Sequence, residues 1–359
     1  MTTTAAPVVA RPVREQSLYA QLSAEIRELG LLRRAYGYYW TKIIGAVTVL
    51  AALGTAFVVL GDTWWQLVLA AVLGIALTQT AFVGHDAAHR QIFASSRLNE
   101  WTSLIIVNLL LGMSHGWWTS KHSRHHANPN KVGKDPDIDR GLLAWTPEHS
   151  ARRRSRVGSW LSARQGWLFF PVLLLLGLSL HISGIRALLG SRPMKRRRIE
   201  LGMIALRLGG YATVVFVVLP PGKAALFLVI QLAAFGLYMG SAFAPNHKGM
   251  PILAAGSSLD FMHRQVLMSR NIRGGRFMDT FLGGLNYQIE HHLFPSMPRT
   301  SLRRAQPVVR AFCERHGITY TEKGLLTSYG IVIAYLNRVG LGASDPFVCP
   351  LVQQYRPRT

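Results

Sequence analysis

The sequence predicts an all-α integral membrane protein with four transmembrane helices arranged in two hairpins. Three observations predict this class. The chain of 359 residues is 49% hydrophobic and has a positive mean hydropathy of +0.20. Four apolar runs are long enough to cross a hydrocarbon core of ~30 Å at ~1.5 Å per residue. The formal net charge is nevertheless +23, which is typical of a membrane protein with basic cytosolic loops.

The four predicted spans form two closely linked pairs. The first pair covers about 43–61 and 64–84, with only Asp62 and Thr63 between the two runs. The second pair covers about 203–219 and 224–244, joined by a short segment that contains Pro220 and Pro221. Links this short allow only a tight turn, so each pair is expected to be a helical hairpin.

Two other apolar segments are predicted to lie at the membrane interface. The segment at about 167–189 has basic residues on both sides, in 151–156 and 192–198. Because basic loops stay in the cytosol, a true span would carry one of these clusters across the membrane. We therefore expect an interfacial or re-entrant helix that returns to the side it left, and we interpret the shorter segment at about 102–113 in the same way.

The remaining regions flank one large domain. We expect a cytosolic N-terminal region at 1–40, with a loose arm over 1–14 and a surface helix over roughly 15–35. The main domain is expected at 41–345 and a C-terminal tail at 346–359. Cys313 and Cys349 are too few for a disulfide framework or a cysteine-based zinc site. Nucleic acid binding is not expected, because the charge lies in short loops between apolar segments.

Histidines and one glutamine form short clusters just after the spans and in the C-terminal third. Residues 85–89 read HDAAH, residues 122–126 read HSRHH, residues 288–292 read QIEHH, and a single histidine ends the fourth span. Histidines at i and i+4 lie on one helix face, so both rings can reach one metal ion. The candidate ligands are His85, His89, His122, His125, His126, His247, Gln288, His291 and His292.

This set predicts two metal ions, because eight imidazoles exceed the four to six ligands that one ion takes. Imidazole suits iron, zinc, copper and nickel, so the ligand types leave the element open. Asp86 and Glu290 are candidates to orient ligating rings. Trp117 and Trp118 are candidates either for the wall of a substrate tunnel or for an aromatic belt at the interface.

The motif order and its flanking words GWWTSKHSRHHANPN, DPDID and GGLNYQIEHHLFP resemble the membrane fatty acid desaturase family, which has histidine boxes and a non-haem di-iron centre. The similarity is to its front-end branch and the bacterial acyl-CoA desaturases. It implies a cytosolic helical cap that holds two iron ions on these histidines, with Gln288 at a ninth ligand-like position. It also implies a cis double bond placed in a long-chain acyl-CoA or acyl-lipid with O₂ as co-substrate. The active site is then expected on the cytosolic face, at the plasma membrane in a bacterium.

Two departures from the family pattern bear on iron coordination and electron supply. Many members have an asparagine four residues before the isolated histidine, where this chain has Phe243; Asn246 and Asn286 are the candidates to replace it. Eukaryotic front-end members often carry a fused haem domain with a His-Pro-Gly-Gly run, and that run is missing from this sequence. Electrons are therefore expected from a separate ferredoxin or flavin-dependent reductase.

Other functions fit parts of the pattern. The nearest alternative is a histidine-box hydroxylase of lipids, alkanes or carotenoids. A zinc-dependent membrane hydrolase or receptor, or a metal transporter, is a further alternative. A transporter would place ligating residues within its spans, whereas these histidines follow the span ends.

Overall fold

A computed structural model describes residues 17–139, 141–152 and 155–342. This part of the chain is almost wholly helical. The helices before the third span are α1 (Leu18–Glu28), α2 (Tyr36–Leu60), α3 (Trp65–Ala88), α4 (Ser96–Leu104), α5 (His115–Ala127), α6 (Pro147–Ala151), α7 (Arg156–Ala163), α8 (Phe169–Leu173) and α9 (Leu176–Leu189). The later ones are α10 (Arg197–Val218), α11 (Pro221–His247), α12 (Phe261–Leu267), α13 (Gly275–Phe281), α14 (Gln288–Leu293), α15 (Arg299–Arg315) and α16 (Leu325–Gly340).

Four of the described helices, α2, α3, α10 and α11, are long and apolar enough to cross a membrane. They correspond to the four predicted spans and confirm the predicted fold class. Gly61 ends α2 with a φ of 54°, a left-handed conformation that glycine adopts at little cost, and the chain then turns into α3. Pro221 begins α11, where its missing N–H is not needed. Lys223 binds Asp62 and so joins the two hairpin turns.

The helices α3 and α11 form the centre of the bundle. Within their most apolar stretches 44% and 39% of residues are buried, compared with 6% for α2 and 11% for α10. Small residues allow this close approach. A Cβ atom added to Gly74 of α3 would lie 2.7 Å from the carbonyl oxygen of Gln231 on α11. The outer helices leave their apolar side chains for contact with lipid.

Neither of the predicted interfacial segments forms a long span. The first is α4 followed by a π-helix, Ile105–Leu110. The second divides into α8 and α9; the 14 residues of α9 reach about 21 Å at 1.5 Å per residue, short of the ~30 Å core. The His181 ring joins the two segments, because it contacts the carbonyl oxygens of Gly177 at 2.7 Å and Leu111 at 3.0 Å.

A helical cap covers the histidine-bearing ends of α3 and α11. Helices α1, α12, α14 and α15 pack there around a core that includes Ile26, Val266, Leu293, Val309 and Phe312. Two short strands, β1 (Asn271–Arg273) and β2 (Glu322–Gly324), pair in parallel beside them. Helix α1 lies within the predicted surface helix, whereas the predicted arm at 1–14 and tail at 346–359 lie outside the described residues.

Candidate metal centre

Four helix ends bring the predicted ligands together. Helix α3 supplies His85 and is followed directly by His89, α11 ends at His247, and α5 and α14 supply the others. The rings form two clusters in which the ligand atoms lie within 4.8 Å of one another. The first cluster is His85, His89, His122, His126 and His291, and the second cluster is His125, His247 and His292.

Helical geometry explains how one motif serves both clusters. His122 and His126 are four residues apart on α5 and share a face, so both belong to the first cluster. His291 and His292 are adjacent on α14 and therefore point about 100° apart, which places one ring in each cluster. The two clusters are thus neighbours; the rings of His126 and His292 stack at 4.1 Å between centroids.

The second cluster has the electronic arrangement that a metal ion requires. His125 Nδ1 lies 3.0 Å from an Asp135 oxygen, and His247 Nδ1 lies 3.0 Å from the Met268 carbonyl oxygen. An acceptor at Nδ1 holds the proton of a neutral ring there, so each Nε2 has an open lone pair. These two Nε2 atoms face each other at 3.3 Å. Two lone pairs at that distance repel unless a cation lies beside both.

His292 adds a third open nitrogen to the second cluster. Its Nδ1 lies 2.9 Å from Gln265 Oε1, and its Nε2 is buried with no hydrogen-bond partner among the described residues. Gln288 completes the group, because its amide nitrogen lies 2.8 Å from His247 Nε2 and its amide oxygen accepts from Asn246. A half-turn of this amide would present its oxygen to the same position.

The first cluster crowds five rings into one space. The Nε2 atoms of His89 and His122 are 2.8 Å apart, and those of His126 and His122 are 3.1 Å apart. His291 Nε2 is buried without a hydrogen-bond partner in the described chain. Burial, and then the neighbouring imidazoles, lower the pKa of His89, His122, His126 and His291 well below the usual range. These four rings are therefore neutral at physiological pH, which is the form that binds metal.

Carboxylates near the clusters hold two of the rings in place. Asp86 contacts His85 Nδ1 at 3.4 Å and forms a buried ion pair with Arg299 at 2.7 Å. Although burial alone lowers the pKa of Arg299, the adjacent Asp86 raises that pKa above its usual value. Asp135 contacts His125 and accepts from the Asn130 backbone N–H at 2.7 Å. Ligating rings are commonly fixed in this way.

The structure places the other predicted neighbours away from the ring nitrogens. Glu290 accepts from Asn271 and Tyr320, each at 2.7 Å, and burial raises the pKa of Glu290 to about 6. Asn246 donates to the Leu285 carbonyl oxygen at 3.0 Å and to Gln288, while its own oxygen is buried and unpaired. Asn286 donates to Asp279 at 2.9 Å. Sequence reasoning did not identify Arg299, Gln265 or Met268, because each contributes from a distant part of the chain.

An apolar cavity of about 470 Å³ ends at both clusters. His85 and His122 of the first cluster and His125 and His247 of the second line it, together with Gln288. The apolar part of its wall includes Val107, Leu111, Trp118, Leu180, Met239 and Phe243. The Trp118 ring stacks on His122 at 4.7 Å between centroids. The polar part includes Lys121, Asp137 and Lys248.

Trp118 lines this cavity and Trp117 does not, although the sequence suggested both tryptophans as candidates for its wall. Neighbouring residues on α5 point about 100° apart, so Trp118 faces the apolar cavity and Trp117 lines a second one behind the helix. The histidines outside the two clusters have other contacts: His181 joins two carbonyl oxygens, His263 contacts Asp260, and His316 lies 4.4 Å from the Phe312 ring.

Comparison with known proteins identifies sequence similarity to a family of enzymes. The chain matches the family described as fatty acid desaturase over residues 62–324. It is 31% identical to an acyl-lipid (9-3)-desaturase of Physcomitrium patens over 86% of this chain and 60% of that protein. It is 28% identical to Delta(8)-fatty-acid desaturase 2 of Arabidopsis thaliana over 91% of this chain and 75% of that protein. Fatty acid desaturase 3 of Bos taurus is 30% identical, over 84% of this chain and 68% of that protein.

Proposed function

The chain belongs to the fatty acid desaturase family, and we propose that it uses O₂ to introduce a cis double bond into a long-chain acyl group. The observation that carries this proposal is the apolar cavity that ends at both histidine clusters. Its volume of about 470 Å³ lies in the range of ligand pockets, and its wall suits a methylene chain. No acid or base of the protein removes hydrogen from an unactivated methylene, so the chemistry requires a metal centre.

We propose two non-haem iron ions as that centre. The five imidazoles of the first cluster would hold one ion, and the three of the second cluster with Gln288 would hold the other. The open, buried Nε2 atoms of His291 and His292 support this assignment. Bound iron would activate O₂ and so supply the oxidising power that the acyl chain requires. Asp86 and Asp135 would fix the ligating rings, and Asn246, whose amide nitrogen donates to the Gln288 oxygen at 3.1 Å, would orient the Gln288 amide.

The chain's own residues would bind and orient the substrate. Burying the methylene chain against Val107, Leu180 and Met239 removes apolar surface from water, worth ~0.8 kcal/mol per CH₂. Trp118 and Phe243 lie where this wall meets the rings; Trp118 stacks on His122, and Phe243 is 6.2 Å from the His85 ring. These aromatic side chains would exclude water and hold the reacting carbons beside the clusters.

The polar part of the cavity supports an anionic acyl carrier. Lys121 binds the Asp137 carboxylate, and Lys248 donates to the Asp137 carbonyl oxygen at 2.9 Å while lying over the Trp145 ring. Burial lowers the pKa of Lys248, and the Asp137 and Asp135 carboxylates act in the opposite direction. We propose that these two lysines bind phosphate groups of a coenzyme A or of a lipid headgroup, and that the substrate is therefore an acyl-CoA or an acyl-lipid.

Electrons are proposed to come from a separate protein, a ferredoxin or a flavin-dependent reductase. His89 and His126 of the first cluster are only half-buried, so this cluster lies close to the protein surface. Arg90 directly follows His89, and Arg34 donates to the Arg90 carbonyl oxygen at 2.5 Å. A negatively charged donor would be attracted to a surface of this charge.

The histidine-bearing ends are proposed to lie on the cytosolic face. Both hairpins return to one side, which is where the clusters meet. Cysteines introduced near Arg154 and Arg197 should therefore react with an impermeant reagent from the cytosolic side alone. Labelling of the two sites from opposite sides would contradict the interfacial assignment of α8 and α9.

Expression in a host without its own desaturase tests the activity. Gas chromatography and mass spectrometry of the fatty acid methyl esters should reveal a new cis double bond that depends on O₂. His291→Ala removes a first-cluster ligand and is the inactive control. His316→Ala lies outside both clusters and is the active control. A hydroxylated product would favour a related hydroxylase, and purified protein with zinc and no iron would contradict the di-iron assignment.

A further inference from the structure

Behind α5 lies a second cavity, of about 800 Å³, that is separate from the proposed acyl cavity. The two share no lining residue, because they lie on opposite faces of α5. Its walls come from the back of α5, the end of α9, the connection at 190–196 and the start of α10. It lies at the entry to the third span, where the chain leaves the interfacial segment.

The wall of this second cavity is strongly basic. Arg124, Arg186, Arg192, Lys195 and Arg196 line it, against the carboxylates of Glu100 and Glu200. Five cations therefore face two anions, an excess of three positive charges.

Existing ion pairs leave three of these cations available. Glu100 binds Lys195 at 2.9 Å and Arg196 at 3.2 Å. Glu200 is buried and accepts from the Asn108 amide at 3.1 Å, from the Ser114 hydroxyl at 2.8 Å and from the Gly116 N–H at 3.0 Å. Within the described chain, Arg124, Arg186 and Arg192 have no ion pair, and all three are exposed. Three guanidinium groups with no internal anion form a site for an external one.

Neighbouring groups specify the kind of anion. Ser120 and Ser123 line the cavity with exposed hydroxyl groups that can donate to oxygen atoms. Leu189 and Ile199 are next in sequence to the lining residues Gly190 and Glu200, and their exposed fractions are 72% and 42%. They lie on an interfacial helix and on a span, so their side of the site faces lipid. A ligand with a phosphate at one end and an apolar body at the other matches both features.

We propose that this cavity binds the phosphate of an anionic membrane phospholipid. Arg124, Arg186 and Arg192 would bind the phosphate oxygens, and the acyl chains would lie along the apolar side chains of α9 and α10. This ligand is distinct from the substrate of the first cavity. Since Trp117 and Arg124 of the wall lie on α5, the bound lipid would pack against the helix that presents three of the histidines.

The site can be tested by native mass spectrometry of delipidated protein in a neutral detergent. Dioleoylphosphatidylglycerol should bind at one saturable site, and dioleoylphosphatidylcholine more weakly. Each cation near a membrane surface contributes about fivefold in affinity, so the variant Arg124→Gln/Arg186→Gln/Arg192→Gln should bind about 100-fold more weakly. The matched control Arg152→Gln/Arg156→Gln/Arg276→Gln removes the same charge from exposed positions outside the cavity and should stay within about threefold of wild type.

Three results would overturn the proposal. One is the absence of a saturable phosphatidylglycerol site, and another is equal weakening in the two triple variants. The third is displacement of the lipid by inorganic phosphate at the lipid's own concentration, which would assign the site to a free anion. The single variant Arg192→Gln, in an exposed connection, guards against misfolding of the triple variant and should itself weaken binding about fivefold.

Discussion

Replacing His292 with alanine tests whether the two clusters hold separate metal ions. His292 is one of three imidazoles in the second cluster, and its loss leaves two with Gln288. His126 is one of five in the first cluster, and its loss leaves four. Four ligands still suffice for a transition metal, whereas two imidazoles and an amide bind weakly. If the wild-type chain holds about two iron ions, the iron content of His292→Ala should fall to about one per chain, and that of His126→Ala should stay near two.

The magnitude follows from the ligand count. Removing a residue that only hydrogen-bonds to a ligating ring already lowers metal affinity about 10- to 100-fold. Removing one ligand from a three-histidine site should therefore lower metal affinity by more than about 100-fold. Iron per chain is measured by elemental analysis after dialysis against a fixed concentration of chelator. His316→Ala is the control, because its ring packs on Phe312 away from both clusters. Loss of both iron ions in His292→Ala would refute the assignment of two separate sites, and equal iron loss in His292→Ala and His126→Ala would refute the reasoning from the ligand count.

Three further predictions address the supporting residues. Asp135→Asn should weaken iron retention about 10- to 100-fold in chelator competition, since it removes the charged partner of His125; unchanged retention would contradict that role. Met239→Trp should reduce the conversion of long acyl chains without changing the iron content, because Met239 lines the cavity about 12 Å along α11 from His247. Gas chromatography measures the conversion, and the control Val229→Trp, at an exposed position of α11, should match wild type. Glu200→Ala should lower the free energy of unfolding by roughly 3 kcal/mol, more than Glu200→Gln, because two buried donors and one part-buried donor lose their acceptor; thermal unfolding in detergent measures both variants.

Local sequence patterns are enough to predict the membrane class and the set of candidate ligands. Long apolar runs leave few alternatives to spanning helices, because backbone groups in lipid must bond within their own segment. The observed α2, α3, α10 and α11 each contain nearly all of a predicted span. Histidine spacing is similarly local, since i and i+4 share a face whatever the rest of the chain does.

How these ligands divide into two clusters, and which residues surround them, depends on contacts between distant helices. No local pattern assigns His125 to a different cluster from His122 and His126, or His291 to a different cluster from His292; the way in which α5 and α14 meet decides the division. Arg299 meets Asp86 across more than 200 residues of chain, and no local pattern encodes such a contact. The choice between Trp117 and Trp118 likewise depends on how α5 is rotated between the two cavities. Local rules fix which side chains share a helix face, whereas the packing of distant helices fixes what each face meets.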